Sequence, residues 1–288
     1  MGIRNIELLS IIDAIEQGAS LGKVITLGRQ WDLTTDRFKK TISNRLGSIR
    51  SNNNIAQVDG PSSGQWADTL LSYLGATAID SMDVTNYEEA TIAHDLNIAI
   101  PEALNGKYDF VFDGGTSEHV FDVAQVYKNI FALCRVGGYV CCSVPANNHL
   151  GHGFYQFSPE FLYRLFCKEN GFEVSSMILA TADGKYRFHA VDPAIAGQRI
   201  EMYGSRPCLT LCMVAKKLEQ LEPFQVIPMQ SDYSKRWSGG STTPVRTPSI
   251  RRWIGSTLEG FFPGLVQYLR FRRSQRLEYH PDLFKRIP

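Results

Sequence analysis

"YDFVFDGGTSEHVFD", residues 108–122, sets the frame for the rest of the chain. Tyr108 to Asp113 is dense in aromatic and β-branched residues, which predicts a strand buried on both sides. Asp113-Gly114-Gly115 is a turn signal that ends it. An adjacent acid and imidazole, Glu118 and His119, follow. In an open α/β sheet, ligands bind outside the carboxyl ends of the strands, so a strand ending in an acid, two glycines and an acid–imidazole pair marks a candidate site.

Outward from this stretch, strands and helices alternate. "KVITLG" (23–28), "ATAIDSMDV" (76–84) and "GGYVCCSVP" (137–145) read as further strands, and "FEVSSMIL" (172–179) with "LTLCMVAKKL" (209–218) as a late pair. Helical patterns cover 34–47, 66–74, 119–133 and 159–169, the last opened by Ser158 as N-cap and Pro159 at the first helical position. Strands separated by helices need crossover connections. They predict an α/β fold, a mostly parallel sheet with helices on both faces.

The strand ends then carry a row of polar groups: Leu27-Gly28-Arg29-Gln30, Asp80 and Asp83-Val84, Asp95 in "IAHDLN", Asp113-Gly114-Gly115, and Asn147-Asn148-His149. A dinucleotide needs its pyrophosphate seated on a glycine-rich turn. The first turn here, "GRQWDL", has a single glycine, which disfavours that ligand. An adenosine without phosphates escapes the requirement. Its ribose hydroxyls want an acceptor such as Asp83, its adenine amino group one such as Asp95, and a cationic centre tolerates acids nearby.

The run "YDFVFDGGTSEHVFDVAQVYKNIFALCRVGGYV" resembles the block from the fourth to the fifth strand of class I S-adenosylmethionine-dependent methyltransferases, a Rossmann-like family. Glu118-His119-Val120 and Val136-Gly137-Gly138 are its most specific part, and the likeness extends over roughly residues 20–218. It implies a seven-stranded sheet with the last strand antiparallel and S-adenosyl-L-methionine as cofactor. It also implies ribose contacts from Asp83 beside Val84, adenine contacts from Asp95 and Leu96, and a methionine portion flanked by Gly28, Asp113 and Gly114. The first turn departs from the family, with Gly28-Arg29-Gln30 in place of several glycines. Arg29 then stands in for them by pairing the methionine carboxylate.

The acceptor side is expected in "PANNHLGHGFYQFSPEFLYRLF", which gathers His149, His152, Tyr155 and Gln156 among glycines and aromatics. Polar groups on a loop held between a strand and a capped helix suit the orienting and deprotonating of a hydroxyl. His152 is the first candidate base, His119 the second, with Tyr155 alongside. No metal site is expected, because no ligand spacing stands out. Each feature also has a plain structural reading: a turn, a helix start favoured by an acid, solvated loop acids. The reading overall is a methyltransferase acting on oxygen of a small molecule, sugar or glycan. A methyltransferase-like binding or scaffold protein without catalysis is the alternative.

Composition bounds the rest. With 288 residues, 43% hydrophobic and 20% charged, the chain suits one large domain and an extension. No run of 18 apolar residues occurs, and "MGIRNIELLSIIDAIEQG", carrying Glu7, Asp13 and Glu16, reads as an amphipathic helix rather than a signal peptide. It lacks the Ser or Thr that myristoylation needs at the sixth position. The six cysteines lack zinc-site spacing and predict reduced core thiols in a cytoplasmic protein. The net charge of +1 conceals a tail, Lys235 to Pro288, at +8 and a body at −7. "WSGGSTTPVRTPS" reads as a linker, dividing a methyltransferase-like domain, 1–218, from a basic linker and extension, 219–288. The tail's aromatics and arginines, from Trp253 to Leu277, suit peripheral contact with an anionic membrane surface. Nucleic acid is not expected, since no recognition motif accompanies the charge.

Overall fold

In the computed structural model the described residues are 2–52, 64–181, 184, 186–197, 199–200, 202–203, 207–239, 278–279 and 282–287. The chain opens with β1 (Gly2–Ile3), α1 (Asn5–Glu16), β2 (Gly22–Leu27) and β3 (Trp31–Asp32). Next come α2 (Asp36–Thr41), α3 (Ser43–Asn52), α4 (Asp68–Tyr73), β4 (Ala76–Asp83) and β5 (Ile92–Ala93). The expected helix over 34–47 is thus two, parted at Ile42, whose φ of −102° leaves the helical region. Then follow β6 (Tyr108–Asp113), α5 (Val123–Leu133), β7 (Cys134–Asn147), α6 (Pro159–Leu165) and β8 (Phe172–Thr181). The chain continues with β9 (Arg187–Ala190), α7 (Pro193–Ala196), β10 (Met202–Tyr203), β11 (Leu209–Lys217), α8 (Ser231–Trp237), β12 (Glu278–Tyr279) and β13 (Phe284–Arg286).

The central sheet has the order β13-β9-β8-β11-β7-β6-β2-β4-β5. Neighbours from β7 to β5 are all parallel, while β11 runs antiparallel to both β7 and β8. Seven of these strands, β2, β4 to β8 and β11, have the Rossmann-like order of the class I methyltransferase fold, with the last strand inserted antiparallel as expected. The sheet departs from the expected seven by two strands. β9 returns antiparallel along β8, and the C-terminal β13 pairs β9, which covers an edge that would otherwise be open to another chain.

Burial on both faces explains the apolar runs. Successive residues of a strand point to opposite sides, so Val24, Phe110, Phe112, Cys141 and Cys212 join one core with α1, α3 and α4. Ile25, Leu27, Val111, Val140 and Cys142 join the other with α5 and α6. α1 is buried along most of its length, Glu7 and Ser10 included. The six cysteines are free. Cys134, Cys141, Cys142 and Cys212 are core thiols, but Cys208 is exposed and donates to the Asn148 carbonyl at 3.0 Å.

β2 and β6 lie side by side, Leu27 opposite Asp113. The chain leaves β2 toward β4 on one side and enters β6 on the other, so the switch point of the sheet falls between Gly28 and Gly114. β1 pairs β3 in parallel, Gly2 beside Trp31, which carries the N-terminal residues to the same edge. Beyond the expected boundary at 218, Leu283 and Phe284 are 5% and 2% exposed and belong to the core. Most of the linker and the arginine-rich stretch, 240–277, lie outside the described residues. No helix among the described residues is long and apolar enough to cross a membrane.

Candidate active site at the carboxyl edge of the sheet

The turn after β6 explains why the opening stretch looks as it does. Asp113 is fully buried, and its Oδ1 accepts from the backbone N–H of Thr116 at 2.9 Å and of Ser117 at 3.3 Å. The Thr116 hydroxyl donates to the Leu27 carbonyl at 2.7 Å, tying this turn to the end of β2. Glu118 and His119 then sit on a short 3-10 turn, Ser117–His119, rather than on α5. The helix starts only at Val123, because the Asp122 side chain caps it by accepting from Gln125 N–H.

The loop after β7 is pinned onto this turn. Phe154 N–H donates to the Glu118 carbonyl at 2.7 Å, and His152 N–H to the His149 carbonyl at 2.9 Å. A Cβ on Gly153 would lie 2.7 Å from the Glu118 carbonyl oxygen, so only glycine permits the approach. The result is a cavity of about 310 Å³ whose walls include Arg4, Gly115, Glu118, His149, His152 and Thr210. Glu118 Oε1 lies 3.9 Å from His119 Nε2 and 3.6 Å from His152 Nε2. The ring centroids of His119 and His149 are 5.1 and 5.6 Å from that of His152.

Electrostatics in this pocket are strained. Burial, with the neighbouring Asp113 second, pushes the Glu118 carboxyl up to about 8. Burial also raises Asp113, against the backbone hydrogen bonds that lower it. Asp113 Oδ2, Glu118 Oε2 and His149 Nε2 are buried without a hydrogen bond among the described residues. His119 and His149 are both held below the ordinary imidazole value, by burial first and by His152 second, so both are neutral bases near pH 7.

On the other side of the switch point stand the residues expected to hold a cofactor. Asp83 ends β4, with its Oδ1 accepting from Val84 N–H at 2.7 Å, and Val84 itself is exposed. Asp95 is exposed, accepts from the Asn97 backbone and side chain at 2.9 and 2.8 Å, and is held below the usual carboxylate range by those bonds. Leu96, next to it, is buried in the core. Gly28 has φ +67° and its N–H donates to the Met82 carbonyl at 2.7 Å.

Arg29 is already engaged. It donates to the Glu89 carbonyl at 2.6 Å, pairs Asp68 at 3.2 Å and lies over the Trp66 ring. Gln30 is 2% exposed and folds back on the turn, its Nε2 donating to the Leu27 carbonyl at 2.8 Å. Its Oε1 has no donor among the described residues and abuts Gly114, where a Cβ would come within 2.6 Å. Tyr155 donates its hydroxyl to the Phe121 carbonyl at 2.6 Å, so it braces the loop.

Two groups at the cavity escape a reading of motifs. At the start of α1 Glu7 accepts from the Arg4 backbone N–H at 3.0 Å and pairs its guanidinium, and the Ser143 hydroxyl on β7 donates to Glu7 Oε1 at 2.8 Å. The only signal in the sequence is the spacing of three between a charge pair before an apolar helix. Their placement beside Glu118 comes from the β1–β3 pairing.

No family model and no curated protein matches the chain. Among solved structures it is similar to a 1,6-didemethyltoxoflavin-N1-methyltransferase of Burkholderia thailandensis with 1,6-didemethyltoxoflavin and S-adenosylhomocysteine bound. That likeness has 13% identity and a TM-score of 0.41 over 75% of this chain and 79% of that one. Similarity to a 16S rRNA (adenine(1408)-N(1))-methyltransferase mutant of Catenulisporales acidiphilia has 11% identity and a TM-score of 0.36, covering 72% and 90%. TehB of Haemophilus influenzae is 17% identical, with a TM-score of 0.38, covering 72% and 61%. These likenesses are distant, and the fold of this chain, that of the class I methyltransferases, is read from its own strand order.

Proposed function

We propose that the chain is a S-adenosylmethionine-dependent methyltransferase that methylates an oxygen of a small molecule, sugar or glycan seated against the Glu118–His152 cavity. One observation carries this reading. The ends of β4, β2 and β6, with Asp83, Gly28 and Gly114, share one edge of the sheet, and Gly114 also lines that cavity.

The residues fit the cofactor. Asp83 and Asp95 at successive strand ends suit ribose hydroxyls and an adenine amino group. Gln30 Oε1, a buried acceptor without a donor at the foot of Gly114, suits the ammonium of the methionine portion. The cofactor, when bound, supplies an electrophilic methyl group. The chain's own part is to hold the acceptor oxygen in line and to receive its proton, a role that suits the Glu118–His119–His152 group, with the His119 imidazole held below its ordinary value by burial. The arginine-rich segment supports, on composition alone, a peripheral contact with an anionic membrane surface, and free cysteines suit a reducing cytoplasm.

A second reading, a methyltransferase-like binding protein without catalysis, is favoured by the first turn. There Arg29 is engaged elsewhere, and a glutamine side chain fills the space that glycines would leave open. Calorimetry with S-adenosylhomocysteine separates the two. Binding of S-adenosylhomocysteine and none of NAD is expected, and at ~100 times its Kd the ligand stabilises the fold by ~2.7 kcal/mol. Asp83→Ala is expected to weaken binding by ~2 to 4 kcal/mol without unfolding, as hydrogen bonds to a charged group do. Heat with NAD and none with S-adenosylhomocysteine would refute the reading.

A further inference from the structure

We propose that Glu118, His119 and His152 form a binding site for one first-row divalent cation, such as Zn²⁺, Mn²⁺ or Co²⁺, at the mouth of the cavity. The three ligand atoms lie within 4.8 Å of one another, with Glu118 Oε1 at 3.6 and 3.9 Å from the two imidazole nitrogens. Bonds of ~2.1 Å to a tetrahedral centre hold ligand atoms ~3.4 Å apart. Each imidazole nitrogen is ~0.2 to ~0.5 Å from that spacing to Glu118 Oε1, and ring rotation has up to ~1.4 Å to close between the two imidazoles, which lie within 4.8 Å. The two segments that supply the ligands are locked together already, through Phe154 N–H on the Glu118 carbonyl and the close passage of Gly153.

A second observation points to a cation. Glu118 is 1% exposed, and its Oε2 is buried with no hydrogen bond among the described residues. Beside it lies the buried Asp113, also with an unpartnered oxygen. The cation lining the same cavity, Arg4, is bound to Glu7. Glu118 thus faces the cavity with Asp113 buried behind it, and their ionised forms have no counter-charge of their own, which is costly. A divalent ion supplies it.

The donor set selects the kind of metal. One carboxylate and two imidazoles suit Zn²⁺, Mn²⁺, Fe²⁺ or Co²⁺, whereas Mg²⁺ and Ca²⁺ prefer oxygens alone. The His119 and His152 side chains are 43% and 57% exposed. Three protein ligands with open positions are the arrangement of a catalytic rather than a structural site. The site stands whether or not the chain transfers methyl groups. Its use rests on the reading above: an acceptor hydroxyl on an open position of the ion becomes more acidic, and its proton would pass to solvent at the exposed mouth of the cavity instead of to His152.

Untagged full-length protein, dialysed against EDTA and then freed of it, is titrated with CoCl₂, followed by visible absorption and by calorimetry. One Co²⁺ per chain is expected, displaced by Zn²⁺. Glu118→Gln and His152→Ala are each expected to weaken binding at least tenfold, while His189→Ala, an exposed side chain on β9, leaves it unchanged. No binding by the wild type, or binding retained in both ligand variants, overturns the proposal. S-adenosylhomocysteine affinity measured in EDTA is an independent readout, so failure of the metal site and failure of the cofactor reading are told apart.

Discussion

Glu118 carries the sharpest conflict between stability and site. In the fold it is surrounded by Asp113 at the end of β6, by Arg4 already paired to Glu7 of α1, and by the imidazoles of His119, His149 and His152. Its carboxyl is pushed up to about 8 by burial and by Asp113. A folded value above the unfolded one means that the native state holds the extra proton between pH ~4.5 and ~8, so stability falls as pH rises through that window. Glu118→Gln keeps the shape and removes the charge. In EDTA it is expected to match the wild type near pH 4 and to exceed it above pH 8 by on the order of 5 kcal/mol, read by thermal or urea unfolding. A wild type as stable as the variant at pH 9 would show that Glu118 is solvated or paired in solution. The acid and imidazole at 118 and 119 were legible in the sequence as a pair worth explaining. That Glu118 is buried and His119 exposed was not, because a 3-10 turn, unlike a helix, leaves no periodic trace.

At the scale of the element, the loop after β7 is what turns a strand end into a cavity. Gly151 and Gly153 both have positive φ, +86° and +79°. They differ in surroundings: a Cβ on Gly151 meets nothing within 4 Å, while one on Gly153 meets the Glu118 carbonyl oxygen at 2.7 Å and Cγ at 2.9 Å. Alanine at either site pays the same backbone strain, ~1 kcal/mol or more. Only Gly153→Ala must also push the loop off the Glu118 turn. It is therefore expected to lower the melting temperature further than Gly151→Ala and to weaken Co²⁺ binding at least tenfold. Equal effects of the two on Co²⁺ binding would show that the loop is not held by this approach. The glycines and histidines of this loop were visible in the sequence, as was its position between a strand and the Ser158 cap. Its docking was not, since a contact between residues 118 and 153 depends on the whole sheet. The neighbouring strand ends were easier. Asp83 closes β4 and Asp95 lies just past β5, and the parallel order brings such ends to one edge. Gln30 was the opposite case: the sequence puts it in the turn expected to meet the cofactor, but nothing there shows that its side chain is 2% exposed and folds back on the Leu27 carbonyl.

Across the whole molecule the sequence suggests a body and a basic tail, split near residue 218, with charges of −7 up to Ser234 and +8 from Lys235 onward. The described residues beyond 218 belong to the body. Asn170 accepts from Val226 N–H and donates to its carbonyl, and Glu160 on α6 accepts from Ser231 at the start of α8. The last strand then closes the sheet, Phe284 opposite Ala190. Composition hid this because "LFKR" is too short and too charged to read as a strand. Its burial is set by β9, itself legible only as a hairpin partner of β8. If the C terminus is integral to the fold, truncating its buried ring must weaken the whole domain. Phe284, 2% exposed, loses its contacts in Phe284→Ala, which is expected to cost ~3 kcal/mol or more in a single cooperative transition. Lys285→Ala, exposed on the same strand, is expected to change stability by less than ~0.5 kcal/mol. The measurement is urea unfolding followed by both far-UV dichroism and tryptophan fluorescence. An unchanged midpoint in Phe284→Ala would mean that β13 is absent from the folded protein in solution, leaving the β9 edge open and the extension separate from the body.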